Sequence, residues 1–312
     1  MRPPAELYTV HRDLAFVERP VLVYAFSGFV DAGHGVRLAA QHIIDNFDHD
    51  LIASFDPDEV LDYRARRPAM TFVVDHFAAV DVPQIVLYEV RDSNGRPFLL
   101  LIGPEPDYQW QRFIAAVEQI GERYDVRQAV GLSAVPWPAP HTRPLGVLVH
   151  GNEPALLQSR QADLGEITVP GHVTGMLELA LGANGRASMG LTAQVPHYLV
   201  QFEYPQAAAG LLDGLRGIAG IVIDTSALAP ASTRAEREIA EQMDGNAEFV
   251  TVVAALEQQY DQLASNAGSA STGGLAVLAP EGGMPTGDEI AAQVEEFLQG
   301  LREDGEGDKS GG

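Results

Sequence analysis

The stretch VLVYAFSGFVDAGHGVRLAAQHII, residues 21–44, contains the transition that decides the fold. Its first six residues are all apolar, which is typical of a strand buried on both faces of a sheet. A glycine-containing turn follows, and apolar residues then recur at helical spacing from Val36 to Phe47. A second strand is predicted at residues 51–55, so this region predicts a strand–helix–strand unit and favours a parallel sheet.

The next part of the chain continues to alternate between the two patterns. Asn94 and Gly95 lie between two apolar runs, which predicts a β-hairpin and therefore a mixed sheet. Helices are predicted after Asp107, around Val173 and from Pro205 onward. Residues 221–223 fit either a last strand or the end of the preceding helix. The predicted strands after the first two are residues 84–90, 97–103, 126–132, 146–150 and 187–195.

From residue 231 the pattern becomes helical, so an α/β core is predicted at residues 1–230. A helical hairpin is predicted at residues 231–264, with Thr233 and Glu236 as a capping box at its start. Residues 265–287 are rich in Ser, Gly, Ala and Pro, which predicts a flexible linker. A helix at 288–303 and a disordered tail at 304–312 follow. This helix packs on the chain or binds a partner, and its candidate partner-binding residues are Ile290, Val294, Phe297 and Leu298.

Composition excludes several kinds of function. The 43 acidic and 20 basic residues give a net charge of −23, which disfavours binding along a nucleic-acid backbone. The absence of cysteine excludes thiolate metal sites, iron–sulfur clusters and cysteine nucleophiles. No signal-peptide pattern and no apolar run of about 18 residues is found. We therefore expect a cytoplasmic protein that does not bind a membrane.

The turn after the first strand has two interpretations. Gly33 and Gly35 resemble the start of a dinucleotide-binding fingerprint, but Leu38 occupies the position of its third glycine. Asp31 would also place a negative charge at the helix N-terminus, where it would repel a phosphate. The favoured interpretation is that the Asp31 carboxylate caps the helix by accepting the N–H of Gly33 or His34. No cofactor is therefore expected.

Candidate catalytic groups are sparse. Residues 131–135, GLSAV, resemble a partial nucleophile elbow, with Ser133 as the alternative nucleophile. His141 is its first alternative base, and His172 and His197 are the other histidines that could serve. The final glycine of that motif is missing, and the chain continues extended rather than into a helix. No pair of histidines has a metal-ligand spacing, so no metal site is predicted. His141, His172 and His197 each lie beside a Pro- or Gly-containing turn, where we expect them to fix loops through backbone hydrogen bonds.

Four segments taken together resemble one family. They are residues 26–35 (FSGFVDAGHG), 131–145 (GLSAVPWPAPHTRPL), 169–181 (VPGHVTGMLELAL) and 195–212 (VPHYLVQFEYPQAAAGLL). In combination they resemble the proteasome assembly chaperone family, second type, and most of all its actinobacterial branch. The similarity spans roughly residues 21–212.

The resemblance implies a fold and a role. The implied fold is a three-layer α/β/α sandwich of nucleoside-phosphorylase-like topology with a mixed, mostly parallel sheet, here followed by a C-terminal helical subdomain. The implied role is that of a non-enzymatic chaperone or scaffold that forms a homo-oligomer, with a trimer among the options, and contacts proteasome subunits. In eukaryotic relatives a C-terminal hydrophobic-Tyr-any motif engages the proteasome α-ring. This chain ends in GDKSGG at 307–312, so that docking mode is not carried over.

The alternative function is a small-molecule hydrolase or a phosphorylase-like enzyme with a pocket at the carboxyl edge of the sheet. Loops that follow parallel strands gather at this edge, where ligands usually bind. We expect Arg143 to be the anion donor there and to form an ion pair with Asp31. The resemblance places motif residues of the family in three groups of loops. We call the eight that we expect at the sheet edge the motif cluster: Gly28, Asp31, Gly33, His141, Thr142, Arg143, His197 and Tyr198.

Overall fold

Strands and helices alternate along residues 2–14, 19–157 and 166–267, which are the residues that the computed structural model describes. The strands are β1 (Tyr8–Val10), β2 (Val21–Ser27), β3 (His49–Phe55), β4 (Ala69–Val73), β5 (His76–Asp81), β6 (Val86–Arg91), β7 (Pro97–Pro104), β8 (Gln128–Trp137), β9 (Val147–Gly151) and β10 (Ala187–Pro196). The helices are α1 (Gly35–Asn46), α2 (Pro57–Val60), α3 (Trp110–Arg123), α4 (Pro154–Leu157), α5 (Val173–Ala183), α6 (Pro205–Ala219), α7 (Ala229–Met243) and α8 (Ala247–Ala267).

Eight strands form one mixed sheet in the order β1-β3-β6-β7-β2-β8-β10-β9. The four central strands β7, β2, β8 and β10 are parallel to one another, whereas the pairings toward both edges are antiparallel. The predicted α/β fold with a mixed sheet is therefore confirmed. Strand β3 has the same direction as β2 but is not its neighbour, because the β6–β7 hairpin lies between them.

Helices cover both faces of the sheet, and β2 shows why. Along β2, Val23 and Ala25 belong to the apolar core that includes α1 and α6. The alternating residues Tyr24 and Phe26 belong to a second core that includes α3 and α5. Successive side chains of a strand point to opposite faces, so a continuous apolar run requires a helical layer on each side.

The predicted β6–β7 hairpin is present, and Asp92 organises its turn. The Asp92 Oδ1 atom accepts the backbone N–H groups of Asn94 at 2.8 Å and Arg96 at 2.9 Å. Its Oδ2 atom accepts the N–H of Val222 at 3.1 Å. Residues 221–223 are consequently neither a strand nor part of a helix, and both interpretations of this segment are wrong. Helix α6 ends at Ala219, and the segment is then held against the hairpin turn.

Two helices follow the sheet, and their first boundary differs from the prediction. Helix α7 begins at Ala229 and has a proline in its first turn, so the predicted capping box of Thr233 and Glu236 is wrong. The Glu236 carboxylate instead accepts a hydrogen bond from Gln206 at 3.2 Å. Helix α8 starts after Asn246, whose side chain accepts the N–H of Phe249 at 3.1 Å.

The predicted C-terminal segments are only partly covered. Residues 265–267, assigned to the linker, are the last residues of α8. The rest of the predicted linker, the helix at 288–303 with its candidate residues, and the tail at 304–312 lie outside the described residues.

A second, two-stranded sheet was not anticipated from the sequence. Strands β4 and β5 pair with each other in an antiparallel hairpin that is separate from the main sheet. Its turn contains Val74 with a φ of 56°, a conformation that β-branched residues rarely adopt. Every residue of both strands is exposed, so neither face of this hairpin packs on the body.

Candidate functional site

Three loops meet at the carboxyl edge of the sheet, where β2, β8 and β10 end. The N–H of Ala134 donates to the Val30 carbonyl at 2.7 Å, which ties the turn after β2 to β8. Gly33 donates to the Val200 carbonyl and accepts from the N–H of Tyr204, both at 2.9 Å. The turn after β2 is thus fixed between β8 and the loop after β10.

The glycines of this turn permit close packing. Gly33 has a φ of 61°, and a Cβ atom there would lie 2.9 Å from the Cβ of Tyr204. A Cβ atom at Gly35 would lie 2.7 Å from the Cβ of Ala207 on α6. Side chains at these positions would push α6 away from α1, so the glycine pattern serves packing between these elements.

Asp31 caps α1, as predicted, but through different donors. Its Oδ1 atom accepts the N–H of Val36 at 2.8 Å and that of Arg37 at 3.2 Å. The expected donors are engaged elsewhere: Gly33 donates to Val200, and His34 donates to the main-chain carbonyl of Asp31. The reason is a 3-10 turn at Ala32–His34, which moves the start of α1 to Gly35.

The cap leaves two donors of α1 unavailable to a phosphate. Asp31 is buried, and burial raises the pKa of its carboxyl group. The hydrogen bonds from Arg37 and Val36 act against this shift because they favour the charged form. The negative charge of the helix cap is therefore supplied by the chain itself.

His141 and Tyr198 join the loops after β8 and β10. The Tyr198 hydroxyl accepts the backbone N–H of His141 at 2.8 Å and lies 2.8 Å from Nδ1 of the same residue. Burial lowers the pKa of His141 and raises that of Tyr198 to about 12. A neutral imidazole can accept the phenol proton in a hydrogen bond, so His141 is engaged in holding a loop.

Arg143 connects this loop to α8. Its guanidinium makes two hydrogen bonds to the Asp261 carboxylate, at 2.8 and 2.7 Å, and lies 3.3 Å from Oε1 of Glu257. The hydrogen bond with Arg143 is the main cause of the lowered pKa of Asp261. The predicted ion pair between Asp31 and Arg143 is not formed. Arg143 binds the carboxylates of α8 instead, and Asp31 accepts backbone N–H groups of α1.

Other contacts strengthen the attachment of α8. The Thr142 hydroxyl donates to the Glu257 carboxylate, and the Tyr260 hydroxyl donates to the Pro144 carbonyl at 3.4 Å. The ring of Tyr198 contacts Phe249 edge-on, with the ring centroids 5.0 Å apart. The exposed ring of His197 packs edge-on against Tyr198 at 5.3 Å. The motif residues of these two loops therefore form the surface on which α8 lies.

The alternative catalytic residues are not arranged as a nucleophile elbow. Ser133 is buried in the middle of β8 and is paired with Thr192 of β10. Strand β8 continues to Trp137, so the strand-to-helix turn of an elbow does not follow Ser133. The ring of His141 is engaged by Tyr198.

Glu105 is a buried site residue that the sequence analysis missed. It follows β7, and its Oε1 atom accepts the N–H of Val173, at the start of α5, at 2.8 Å. His172 caps the same helix, because its Nδ1 atom accepts the N–H of Gly175 at 3.1 Å, as expected of a loop-fixing histidine. A Cβ atom at Gly28 would lie 2.9 Å from the Cβ of Glu105, so this glycine allows the close approach. An acidic residue directly after a strand was the available signal.

A second missed feature is an array of three polar side chains on β9, β10 and α5. The His150 Nδ1 atom lies 2.9 Å from Oε2 of Glu178, and its Nε2 atom lies 3.0 Å from Oγ1 of Thr192. The order hydroxyl, imidazole, carboxylate matches that of a nucleophile, a base and an orienting acid. Thr192, however, is only 9% exposed.

Among residues 2–14, 19–157 and 166–267, no group of three or more His, Asp or Glu side chains is placed to hold a metal ion. None of the helices in these ranges is both long and apolar enough to span a bilayer.

Comparison with known proteins identifies the family. The PAC2 family profile matches residues 25–243, which is more than half of the chain. The chain belongs to the PAC2 family. The family resemblance inferred from the four sequence segments is therefore confirmed. No functionally curated protein matches this PAC2 protein.

Solved structures of other proteins share the fold of this PAC2 chain. Rv2714 of Mycobacterium tuberculosis, a protein of unknown function, is 44% identical with a TM-score of 0.80, over 84% of this chain and 91% of that protein. A Corynebacterium glutamicum protein of unknown function is 37% identical with a TM-score of 0.79, over 83% and 98%. The proteasome-assembly chaperone homologue Rv2125 of M. tuberculosis is 26% identical with a TM-score of 0.68, over 75% and 99%.

Replacing the capping carboxylate tests its role in the PAC2 fold. We expect Asp31→Ala to lower the free energy of unfolding in urea by roughly 0.5–2 kcal/mol, because the N–H groups of Val36 and Arg37 lose their acceptor. Asp31→Asn keeps an acceptor oxygen and should lose less. Asp213→Ala, at an exposed position on α6, is the control and should change stability little. Equal losses in Asp31→Ala and Asp213→Ala would contradict the cap.

Removing the guanidinium tests how α8 is attached. In Arg143→Gln we expect faster amide hydrogen exchange across α8, because Asp261 and Glu257 lose their cation. Exchange measured by mass spectrometry should be unchanged in Arg237→Gln, which removes the same charge from an exposed site on α7. Unaltered protection of α8 in Arg143→Gln would mean that the remaining contacts of α8 hold the helix without the guanidinium.

Proposed function

We propose that this PAC2 protein is a non-enzymatic, chaperone-like assembly factor that associates with itself and acts through protein contacts. The single observation that carries the proposal is the β4–β5 hairpin. Its exposed side chains include Met70, Phe72, Val74, Phe77 and Val80, and Val74 is 92% exposed. Contiguous exposed apolar surface of this kind marks an interaction site.

The hairpin needs a cover in order to be stable. An isolated two-stranded hairpin is marginally stable at best in water. Phe72 and Phe77 contact each other edge-on across it, at a centroid distance of 5.0 Å, but no helix or further strand covers them within the described residues. Association with another protein surface would remove this apolar area from water.

A second copy of the chain is the partner that we propose to bury the apolar surface of the β4–β5 hairpin. Arg64 and Arg67 are exposed just before the hairpin, in a chain whose net charge is −23. A cationic segment beside an apolar arm is complementary to the acidic surface of another copy and would guide the two together. The copy number, for which a trimer is one option, is what the sedimentation experiment below determines.

Proteasome subunits are the proposed client. The support is the family, together with the 26% identical relative that is named a proteasome-assembly chaperone homologue. The engagement of Asp31, His141, Arg143 and Tyr198 in holding loops and α8 also favours a binding role over catalysis. A cytoplasmic location follows from this role and is part of the proposal.

Sedimentation velocity tests the hairpin as the self-association arm. We expect the wild-type protein to sediment as an oligomer and Phe72→Ser/Phe77→Ser to sediment as a 33.5 kDa monomer, because the substitutions remove the apolar contact area. The control Leu179→Ser changes a side chain that is 75% exposed on α5 and should leave the oligomer intact. A monomeric wild type would refute self-association.

Purified proteasome α-subunits mixed with each variant would then show, by native gel, whether ring formation is accelerated.

The array of Thr192, His150 and Glu178 favours a hydrolase as the second candidate function. In that role His150 would take the Thr192 proton while Glu178 orients the imidazole. The first proposal predicts that wild type and His150→Gln hydrolyse p-nitrophenyl esters at the same background rate. A rate that His150→Gln loses, and that the exposed-site control His49→Gln retains, would establish the hydrolase instead.

A further inference from the structure

A cavity of about 540 Å³ lies at the amino edge of the sheet, opposite the carboxyl edge with its motif cluster. Val21 and Phe98, at the start of β2 and β7, form its buried apolar floor. Its size lies within the range of roughly 300–1,000 Å³ that is usual for small-molecule sites. We call this cavity the arginine cleft, after the side chains that line it.

The arginine cleft concentrates positive charge in an acidic protein. Arg19, Arg91, Arg96 and Arg127 line it, which is four of the 20 cationic side chains in the whole chain. The acidic residues among the lining are Glu89 and Asp92. Four positive and two negative charges leave an excess of two positive charges, although the chain as a whole carries −23.

The two carboxylates of the cleft, Glu89 and Asp92, leave hydrogen-bond donors of its guanidinium groups unpaired. The Asp92 carboxylate accepts three backbone N–H groups, which satisfy it within the hairpin turn. Glu89 is only 9% exposed, and its closest arginine contact is a loose one of 3.6 Å to Arg91. The side chain of Arg96 has no hydrogen bond or ion pair with any residue in the described part of the chain.

The remaining arginines are held in place but keep free donors. Arg127 donates to the Ala219 carbonyl at 3.2 Å, and Arg91 donates to the Gly95 carbonyl at 3.4 Å. Arg19 pairs with Asp125 at 2.9 Å. A guanidinium has five N–H donors, so each of these side chains can hold its present partner and still bind an oxyanion.

The C-terminal end of α6 disfavours the binding of an anion in the cleft, and two hydrogen bonds reduce this effect. The C-terminal end of α6 faces the cleft at Ala219, and the carbonyl end of a helix carries partial negative charge. Arg127 donates to the Ala219 carbonyl, and Gln128 donates to that of Ile218 at 3.0 Å. These hydrogen bonds satisfy the last carbonyls and so weaken the repulsion.

We propose that the arginine cleft binds a small organic anion with at least two negative charges, a phosphate monoester or a dicarboxylate. Arg96 is the principal donor, with Arg127 and Arg91 beside it, because planar guanidinium groups match the paired oxygens of phosphate and carboxylate. The apolar part of the ligand lies on Val21 and Phe98. The site uses neither the β4–β5 hairpin nor the motif cluster, so it is independent of the proposed assembly role.

Isothermal titration calorimetry with inorganic phosphate and with malonate, at constant ionic strength, tests the site. Wild type should show saturable binding of one anion per chain to at least one of the two probes. Arg96→Gln should weaken that binding about tenfold or more, because a charge-assisted hydrogen bond is lost. The control Arg237→Gln removes an equal charge on α7 and should bind like wild type. Binding isotherms are needed because phosphate stabilises folded proteins in general by exclusion from their surface.

A second variant keeps the test decisive. Arg91→Gln changes an exposed side chain at the end of β6, in the β6–β7 hairpin, and should also weaken binding without affecting the fold, which far-ultraviolet circular dichroism checks. The proposal is overturned if neither probe binds the wild-type protein. It is equally overturned if Arg96→Gln and Arg91→Gln bind as tightly as Arg237→Gln, since binding would then reflect overall charge rather than this cleft.

Discussion

Burial of the central strands on both faces is the constraint on which the rest of the structure depends. Because β2 has apolar side chains on each face, a helical layer must cover each side of the sheet. Two groups of polar side chains that could bind other groups lie at the ends of the central strands. The carboxyl edge collects the motif cluster, and the amino edge collects the arginine cleft.

At the carboxyl edge, the residues of the motif cluster mostly bind other parts of the same chain. Asp31 satisfies the first donors of α1, Tyr198 joins two loops through His141, and Arg143 binds the carboxylates of α8. These side chains are therefore engaged in holding the loops and α8 in place. The apolar surface that the described chain leaves uncovered is prominent in the β4–β5 hairpin, which is why the proposed function centres on contact rather than on chemistry.

Local features were predictable from the sequence, whereas contacts between distant segments were not. Residues close together in the sequence are sufficient to predict three features. These are the burial of β2 on both faces, the hairpin at Asn94 and the capping role of Asp31. The predicted donors to Asp31 are wrong because a 3-10 turn moves the start of α1 further along the chain. The predicted ion pair of Asp31 with Arg143 is wrong because α8, over a hundred residues later, supplies the partners of Arg143. The β4–β5 hairpin could not be predicted from its turn, because the turn at Val74 lacks the usual glycine or asparagine.

The two strands at the margins of the main sheet limit how molecules of this kind can aggregate. β1 has three residues and β9 has five, so each offers few unpaired backbone groups to a strand from another molecule. Short edge strands are one means by which natural sheets avoid growing into fibrils. A sheet that ends in this way therefore offers little template for edge-to-edge pairing between molecules.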